Sequence, residues 1–266
     1  MKPIIKYQGG KSREIPLIET LMPKNFSRVV EPFAGGAALS FHLGYPGLLN
    51  DLNAPVMNLY RVVQDPSRFP SLLLKVNETK GMEHDELQRI YYECRDLINS
   101  EDGSDEERAY ALIIIKQLAF SGMERYNSEG KFNVPFGHYK RFSCNLSPEH
   151  HRFLQNVVLS NGDAISFIEA ATSEDFIFLD PPYLNRLGYE TGDGGVKLHQ
   201  RLVEALKRTK GKWLLVHSDC EFYRDNLSEF DWFVKDFKYS QNFGKGKDHS
   251  GSRVAHVYVS NYEKGG

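Results

Sequence analysis

The chain has 266 residues, 41% hydrophobic and 26% charged, with three cysteines and a formal net charge of −2. That is enough to bury the core of one large globular domain, or of one domain carrying an insert. The longest apolar run, residues 109–115, is too short for a membrane span, and Cys94, Cys144 and Cys220 stand too far apart for a disulfide framework or a metal site. The amino terminus shows no signal-peptide core, so the chain is expected in the cytoplasm with its thiols reduced.

Charge is segregated along the chain. Lys2, Lys6, Lys11 and Arg13 open a basic segment with no acid among residues 1–13, whereas residues 78–107 carry eleven Asp or Glu against Lys80, Arg89 and Arg95. A small net charge thus leaves room for one anion-facing surface and one solvated acidic face. Residues 28–33 predict a short buried strand running into Ala34-Gly35-Gly36; residues 37–43 have helical composition, and Gly44 suits the position just past a helix. With a second strand at 47–51, the first fifty residues carry the strand–helix–strand grammar of a parallel sheet.

From Ala54 to about Leu118 the apolar spacing is helical, as at Val56, Leu59, Tyr60 and Val63 and again at Leu87, Ile90 and Tyr91. This block reads as an inserted helical domain. Residues 120–150 interrupt that spacing with Gly122, Gly130, Pro135 and Gly137, which predicts an ordered loop or hairpin region. Strands are expected again at 157–160, 176–179 and 213–217, with helices near 164–170 and 196–209. Residues 231–239 and 253–259 are strand-like and joined by a Gly-rich loop, so the sheet is expected to end in an antiparallel hairpin.

Asp180-Pro181-Pro182-Tyr183 directly follows the apolar strand 176–179, at the carboxyl end where open α/β sheets place ligands. Proline fixes φ, lacks an N–H and holds the preceding residue extended, so the Pro181 carbonyl can be aimed rigidly beside the Asp180 carboxylate. These two acceptors can each take one hydrogen of a planar amino group, which weakens delocalisation of its lone pair and makes the nitrogen a better nucleophile. Tyr183 offers a face on which a base stacks. The same tetrapeptide would also serve as a strand-ending turn with a half-buried tyrosine. Glu31-Pro32-Phe33-Ala34-Gly35-Gly36 supplies a glycine turn at which a cofactor can approach the backbone, without the full dinucleotide fingerprint. Asp51 stands where nucleotide-binding sheets place an acid against ribose hydroxyls, or where a turn residue or helix cap would stand. Asn161-Gly162-Asp163, after the third strand, is open to the same pair of roles.

In order along the chain, these segments resemble the Dam-type N6-adenine DNA methyltransferases, including bacteriophage Dam enzymes. Lys6-Tyr7-Gln8-Gly9-Gly10-Lys11 is similar to their amino-terminal motif, Glu31 to Gly36 to their cofactor loop, and Asp180 to Tyr183 to their catalytic tetrapeptide. Arg125-Tyr126-Asn127 followed by Gly130-Lys131-Phe132-Asn133-Val134-Pro135-Phe136-Gly137-His138-Tyr139 resembles their target-recognition hairpin. The resemblance implies an α/β fold: a Rossmann-like S-adenosylmethionine-dependent methyltransferase sheet ending in an antiparallel hairpin, with a mainly helical target-recognition domain inserted. The catalytic domain would comprise residues 1–55 and 155–266, and the insert residues 56–154.

The resemblance further implies that Tyr7, Lys11, Asp51 and Asp180 contact S-adenosylmethionine, that Phe33 and Gly35 shape its pocket, and that Asp163 lies near the cofactor adenine. Lys6, Arg125 and Tyr139 would face the bases of double-stranded DNA, with Asn127 in the same hairpin, and Phe120 and Ser121 would lie at the opened duplex. For Phe120, core packing at the end of the Ile-rich helix is the other reading. The match at Lys6 and Arg125 implies GATC as the target, although Ser121 replaces the Asn of cellular members and Glu124 places an acid beside the reading arginine. A flipped adenine held by Asp180 and Pro181 would accept the methyl group directly, leaving S-adenosylhomocysteine, with no metal and no obligate protein partner. Two other functions stay open on the residues alone: an RNA or protein amine methyltransferase with the same tetrapeptide, and a non-catalytic sequence-specific DNA-binding protein.

Overall fold

The computed structural model describes residues 1–184, 194–239 and 252–263. Seven strands, β1 (Arg28–Glu31), β2 (Gly47–Asn50), β3 (Val157–Ser160), β4 (Asp175–Leu179), β5 (Lys212–Ser218), β6 (Asp231–Tyr239) and β7 (Ser252–Ser260), form a mostly parallel sheet with an antiparallel end, in the order β3-β2-β1-β4-β5-β7-β6. The chain divides into two compact units, Met1–Ile15 with Ala34–Gly162, and Pro16–Phe33 with Asp163–Gly266.

The second unit takes its form from β4. All five residues of Asp175-Phe176-Ile177-Phe178-Leu179 are buried, the mark of a strand covered on both faces. β4 pairs in parallel with β1, Val29 opposite Phe176, and with β5, Phe178 opposite Leu214. The entry to the β1–β4 pair is tied by Arg28, whose Nε and Nη2 donate to the two carboxylate oxygens of buried Asp175 at 2.6 and 2.9 Å. β7 runs antiparallel to β5, and β6 antiparallel to β7 from Asp231 opposite Ser260 to Tyr239 opposite Ser252. The expected terminal hairpin is therefore present; its Gly-rich connection lies outside the described residues. Helix α8 (Ala164–Glu169) and the longer α9 (Gly194–Arg208) belong to this unit, and α9 buries Leu202, Val203, Ala205 and Leu206.

In the first unit β2 pairs in parallel with β3, Gly47 opposite Val157, and a set of helices carries the core. Helix α3 (Ala54–Gln64) starts at Asn53, whose side chain accepts from the Val56 N–H, and buries Val56, Met57, Leu59, Tyr60, Val62 and Val63. Helices α4 (Phe69–Thr79) and α5 (His84–Ile98) are amphipathic, α5 burying Leu87, Tyr91 and Cys94 along one stripe. Helix α6 (Asp105–Leu118) opens on a reciprocal Ser104–Glu107 capping box, and from Ala109 to Leu118 every residue is buried. A helix buried all round is a central one, and α6 is the hub of this unit.

Between Phe120 and Ser147 the expected loop region takes the form of a 3₁₀ turn at Phe120–Gly122 and short bridges joining Ala119 to Phe136 and Tyr126 to Phe132. It ends earlier than its glycine content suggests, at helix α7 (Pro148–Leu154), where Ser147 precedes a proline in the first turn. Helices α1 (Ile15–Leu21) and α10 (Glu221–Asn226) were not expected either. Each is two turns or fewer, too short to display a helical period.

Burial on α6 sets a contrast for mutagenesis. Ile114 is fully buried whereas Leu74 on α4 is exposed. Ile114→Ala is expected to lower unfolding stability by about 2–5 kcal/mol, and Leu74→Ala by less than about 0.5 kcal/mol, measured as urea midpoints. Equal losses would mean that α6 is not the hub of its unit.

Candidate active site

In the first unit the site grows from the turn after β1. Gly35 has φ +46°, in the left-handed region, and a Cβ there would meet the Tyr7 ring at 2.7 Å, so both backbone conformation and space require glycine. The turn is held at both polar ends: the Gly35 N–H donates to Asp51 Oδ2 at 2.7 Å, and the Gly35 carbonyl accepts from the Tyr60 hydroxyl at 2.7 Å. Asp51 Oδ1 accepts from the Asn53 N–H at 2.8 Å. Burial raises the Asp51 pKa, opposed by these two backbone N–H groups, with the charges of Glu124 and Lys116 acting beside them. Asp51 thus orders the glycine turn and the start of α3, and each of its oxygens retains a second acceptor direction.

Lys11 is buried, its ammonium donating to the Gly9 carbonyl at 2.9 Å, in a loop closed by the Gly10 N–H on the Tyr7 carbonyl. Lys6 donates to the Gln117 carbonyl at 2.9 Å and lies 4.6 Å from the centroid of the Tyr139 ring. A cation on a last-turn carbonyl of α6 satisfies an otherwise open acceptor and complements the helix dipole. Partial burial of this ammonium end lowers the Lys6 pKa, although the side chain as a whole is exposed. Gln117 in turn donates from Nε2 to the Ile4 carbonyl, fixing the amino-terminal strand of chain against α6.

Two residues with no assigned role join the candidate residues of this unit. Buried Lys116 pairs with Glu124 at 2.5 Å and sits 4.9 Å from the Tyr7 ring centroid, while the other Glu124 oxygen accepts from the Tyr126 hydroxyl at 2.9 Å. Glu124 is therefore directed onto Lys116. Arg125 donates instead to Asn133, to Oδ1 at 2.7 Å and to the carbonyl at 3.1 Å. The hairpin tip is closed by Asn127, whose Oδ1 accepts from the N–H groups of Glu129 and Lys131, so its side chain has a local structural task. Phe120 is 46% exposed and Ser121 next to it has φ +52°. Core packing does not account for Phe120. Lys6, Arg125, Asn127, Phe120 and Ser121 are exposed, and Tyr139 is half-buried.

In the second unit Asp180 leaves the end of β4, and parallel pairing brings the chain leaving β1, including half-buried Phe33, to the same edge. Pro181 is buried; Asp180, Pro182 and Tyr183 are half-buried. The backbone here is met by histidines. His199 Nε2 lies 2.9 Å from the Pro182 carbonyl, and its Nδ1 lies 2.5 Å from the hydroxyl of fully buried Tyr223. Leu184 donates its N–H to His217 Nε2 at 3.3 Å, and His217 Nδ1 lies 2.7 Å from the Ser218 carbonyl. The Tyr183 ring is 4.7 Å from the His217 ring, and its hydroxyl is 3.4 Å from His256 Nε2. Asp163 caps α8 through the Ile165 N–H and pairs with Arg201 of α9, the structural role left open for it.

Sequence reasoning placed the tetrapeptide but not its partners, because His199, His217 and Tyr223 act on backbone groups and on one another, which leaves no motif. Burial lowers the His199 pKa from 6.5 to about 4. Between those values the unfolded chain binds a proton that the folded chain does not. The stability that neutral His199 confers is complete above pH 6.5 and is lost as the pH falls to about 4, in full about 3 kcal/mol. His150, also lowered by burial, acts in the same direction. Urea midpoints should therefore drop between pH 7.5 and pH 5, and His199→Gln should reduce the drop; a pH-independent midpoint in the wild-type chain would contradict a neutral buried His199.

The family model described as D12 class N6 adenine-specific DNA methyltransferase matches residues 7–241. The chain is 31% identical over 272 residues to the type II methyltransferase M.CviBI of Paramecium bursaria Chlorella virus NC1A, covering 98% of this chain and 100% of that protein. It is 35% identical over 186 residues to the DNA N-6-adenine-methyltransferase of Escherichia phage P1, covering 68% of this chain and 24% of that one. It is 26% identical over 240 residues to the DNA adenine methylase of Haemophilus influenzae, covering 84% of this chain and 82% of that one.

Proposed function

The chain belongs to the D12 class of N6-adenine-specific DNA methyltransferases, and on that premise we propose that it methylates a flipped-out adenine within GATC in double-stranded DNA, with S-adenosylmethionine as donor. The observation that carries this is Asp180-Pro181-Pro182-Tyr183 at the open end of fully buried β4, next to the end of β1.

The residues assigned to the cofactor are Tyr7, Lys11, Gly35 and Asp51 in the first unit and Phe33, Asp163 and Asp180 in the second. They suit it: the glycine turn leaves backbone room beside the Tyr7 ring that any side chain at position 35 would take, and Asp51 has acceptor directions for hydroxyl groups. S-adenosylmethionine, when bound, supplies a methyl group activated by its sulfonium. The Asp180 carboxylate and Pro181 carbonyl accept the two hydrogens of the adenine amino group and keep its lone pair on nitrogen, and Tyr183 stacks on the base. Positioning and charge stabilisation by Asp180 dispense with a strong general base, and the displaced proton passes to solvent.

Residues 56–154 are assigned to target recognition, with residues 1–55 and 155–266 catalytic. Lys6 and Arg125 are exposed donors suited to the acceptor edge of guanine, Tyr139 sits against Lys6, and Phe120 presents an apolar edge to the opened duplex with the Ser121 hydroxyl beside it. Asn127 contributes by shaping the hairpin from which Arg125 projects.

Expression in a methylation-free host followed by modified-base sequencing tests the assignment, with N6-methyladenine in GATC expected; a different flanking sequence would remove the GATC assignment. Asp180→Ala should lower kcat by about 10²–10³-fold or more in a folded chain. Near-normal methylation by that variant would sink the catalytic role of the tetrapeptide. Arg125→Ala should weaken discrimination at one base by about 1–3 kcal/mol, read as methylation of near-cognate sites.

A further inference from the structure

Proline ring closure fixes φ at Pro181 and Pro182, and the proline that follows holds ψ of Pro181 extended. From the end of β4 the segment is thus stiff until ψ of Pro182, which is followed by Tyr183 and has no such restraint. That torsion sets the direction of the Pro182 carbonyl. Its hydrogen-bond partner is His199 Nε2, at 2.9 Å.

Donor and acceptor logic fixes both ring tautomers. A carbonyl only accepts, so His199 carries its proton on Nε2; Nδ1 then holds a lone pair and accepts from the Tyr223 hydroxyl. A backbone N–H only donates, so His217 Nε2 accepts from Leu184, and Nδ1–H donates to the Ser218 carbonyl. One histidine donates to the peptide plane before Tyr183 and the other accepts from the plane after it. Both rings are buried, at 2% and 0% exposure.

We propose that His199 and His217 are positioning residues for methyl transfer, a clamp of opposite tautomers that fixes both peptide planes of Tyr183 and so holds the Pro181 carbonyl and the Tyr183 ring in place. The proposal rests on the assignment of Asp180 to Tyr183 to the target base. A stiff segment attached only to β4 swings at its far end; tying Pro182 to α9 and Leu184 to β5 stops that swing. Misplacement of a reacting group by about 1 Å costs on the order of 10²-fold in rate, so the clamp acts on kcat. Stability alone does not account for it, since a buried polar network is often replaceable by apolar side chains at little cost.

The test uses three substitutions in the full chain, assayed by tritiated methyl transfer to unmethylated plasmid DNA. Gln reaches the position of Nε2 with an amide N–H, Asn reaches only that of Nδ1, and Leu has similar bulk and no donor. His199→Leu and His199→Asn are expected to lower kcat by about 10–100-fold with KM for DNA within about threefold, while His199→Gln restores kcat to within about fivefold of wild type. In the pair His199→Leu and Tyr223→Phe, the double variant should be no slower than His199→Leu alone, because Tyr223 acts through His199. Equal kcat for the Gln and Asn variants, or losses of kcat that merely follow loss of folded protein, would overturn the clamp. If His199→Leu does not fold, the comparison of Gln with Asn decides. An inactive Asp180→Ala beside a fully active His199→Asn would reject the clamp alone, whereas an active Asp180→Ala would reject the assignment beneath it.

Discussion

A strand buried on both faces and hydrogen-bonded along both edges cannot shift without breaking two ladders, and β4, paired with β1 and β5, is such a strand. Where its last bond ends, the position of Asp180 is decided. Arg28 on Asp175 marks the other end of the same ladder, a charge-assisted pair that sets the register from which Asp180 is counted. The chemistry proposed for the second unit depends on this rigidity, because one of its two acceptors, that of Pro181, is a main-chain carbonyl. A carbonyl has no rotamer of its own, and only the backbone can aim it.

The first unit solves a related problem with side chains. Its glycine turn is forced into a left-handed conformation, which costs backbone freedom, and the turn is kept there by Asp51 on its N–H and Tyr60 on its carbonyl. Tyr7 closes over the turn on one side, and Lys116 lies against the Tyr7 ring. Through Glu124 and Tyr126, Lys116 also reaches the start of the hairpin that carries Arg125. Lys116 thus links the Tyr7 ring, assigned to the cofactor, to the hairpin assigned to base recognition. Glu124, which in the linear sequence is an acid beside a reading arginine, is in the fold the neutralising partner of a buried lysine.

Much of the fold was legible because its long elements repeat a physical pattern. The continuous apolar run of β4, the apolar stripe of α5 and the two strand-like stretches of the terminal hairpin each show in the sequence. Helices α1, α7 and α10 span two turns at most and show no period, although Ser147-Pro148 is a start signal that points to α7. Within the site, Asp180 and the glycine turn were legible because they sit at strand ends. His199 lies 17 residues from the carbonyl it binds and Tyr223 24 residues from His199, and neither spacing has a meaning until the sheet is assembled. Phe120 was ambiguous for a different reason: an aromatic at the end of an apolar helix suits the core and the surface equally, and only its exposure separates the two.

The clamp carries a cost that the structure makes visible. Apolar side chains at 199 and 223 would leave nothing to titrate, whereas a buried neutral histidine loses stability as the pH falls from 6.5 toward about 4. Tyr223, whose pKa burial drives well above its ordinary value, stays a hydroxyl donor throughout that interval, so the first member of the pair to change state is His199. A proton added to His199 at Nδ1 meets the Tyr223 oxygen where a lone pair had been, and the hydroxyl must turn away. The bond to Pro182 would survive this, since Nε2 still donates, and Nδ1–H would now donate to the Tyr223 oxygen, but the hydroxyl hydrogen would lose its acceptor in a buried setting. What the network secures is therefore direction more than strength, and direction is the property that an acceptor without a side chain has to borrow from its surroundings.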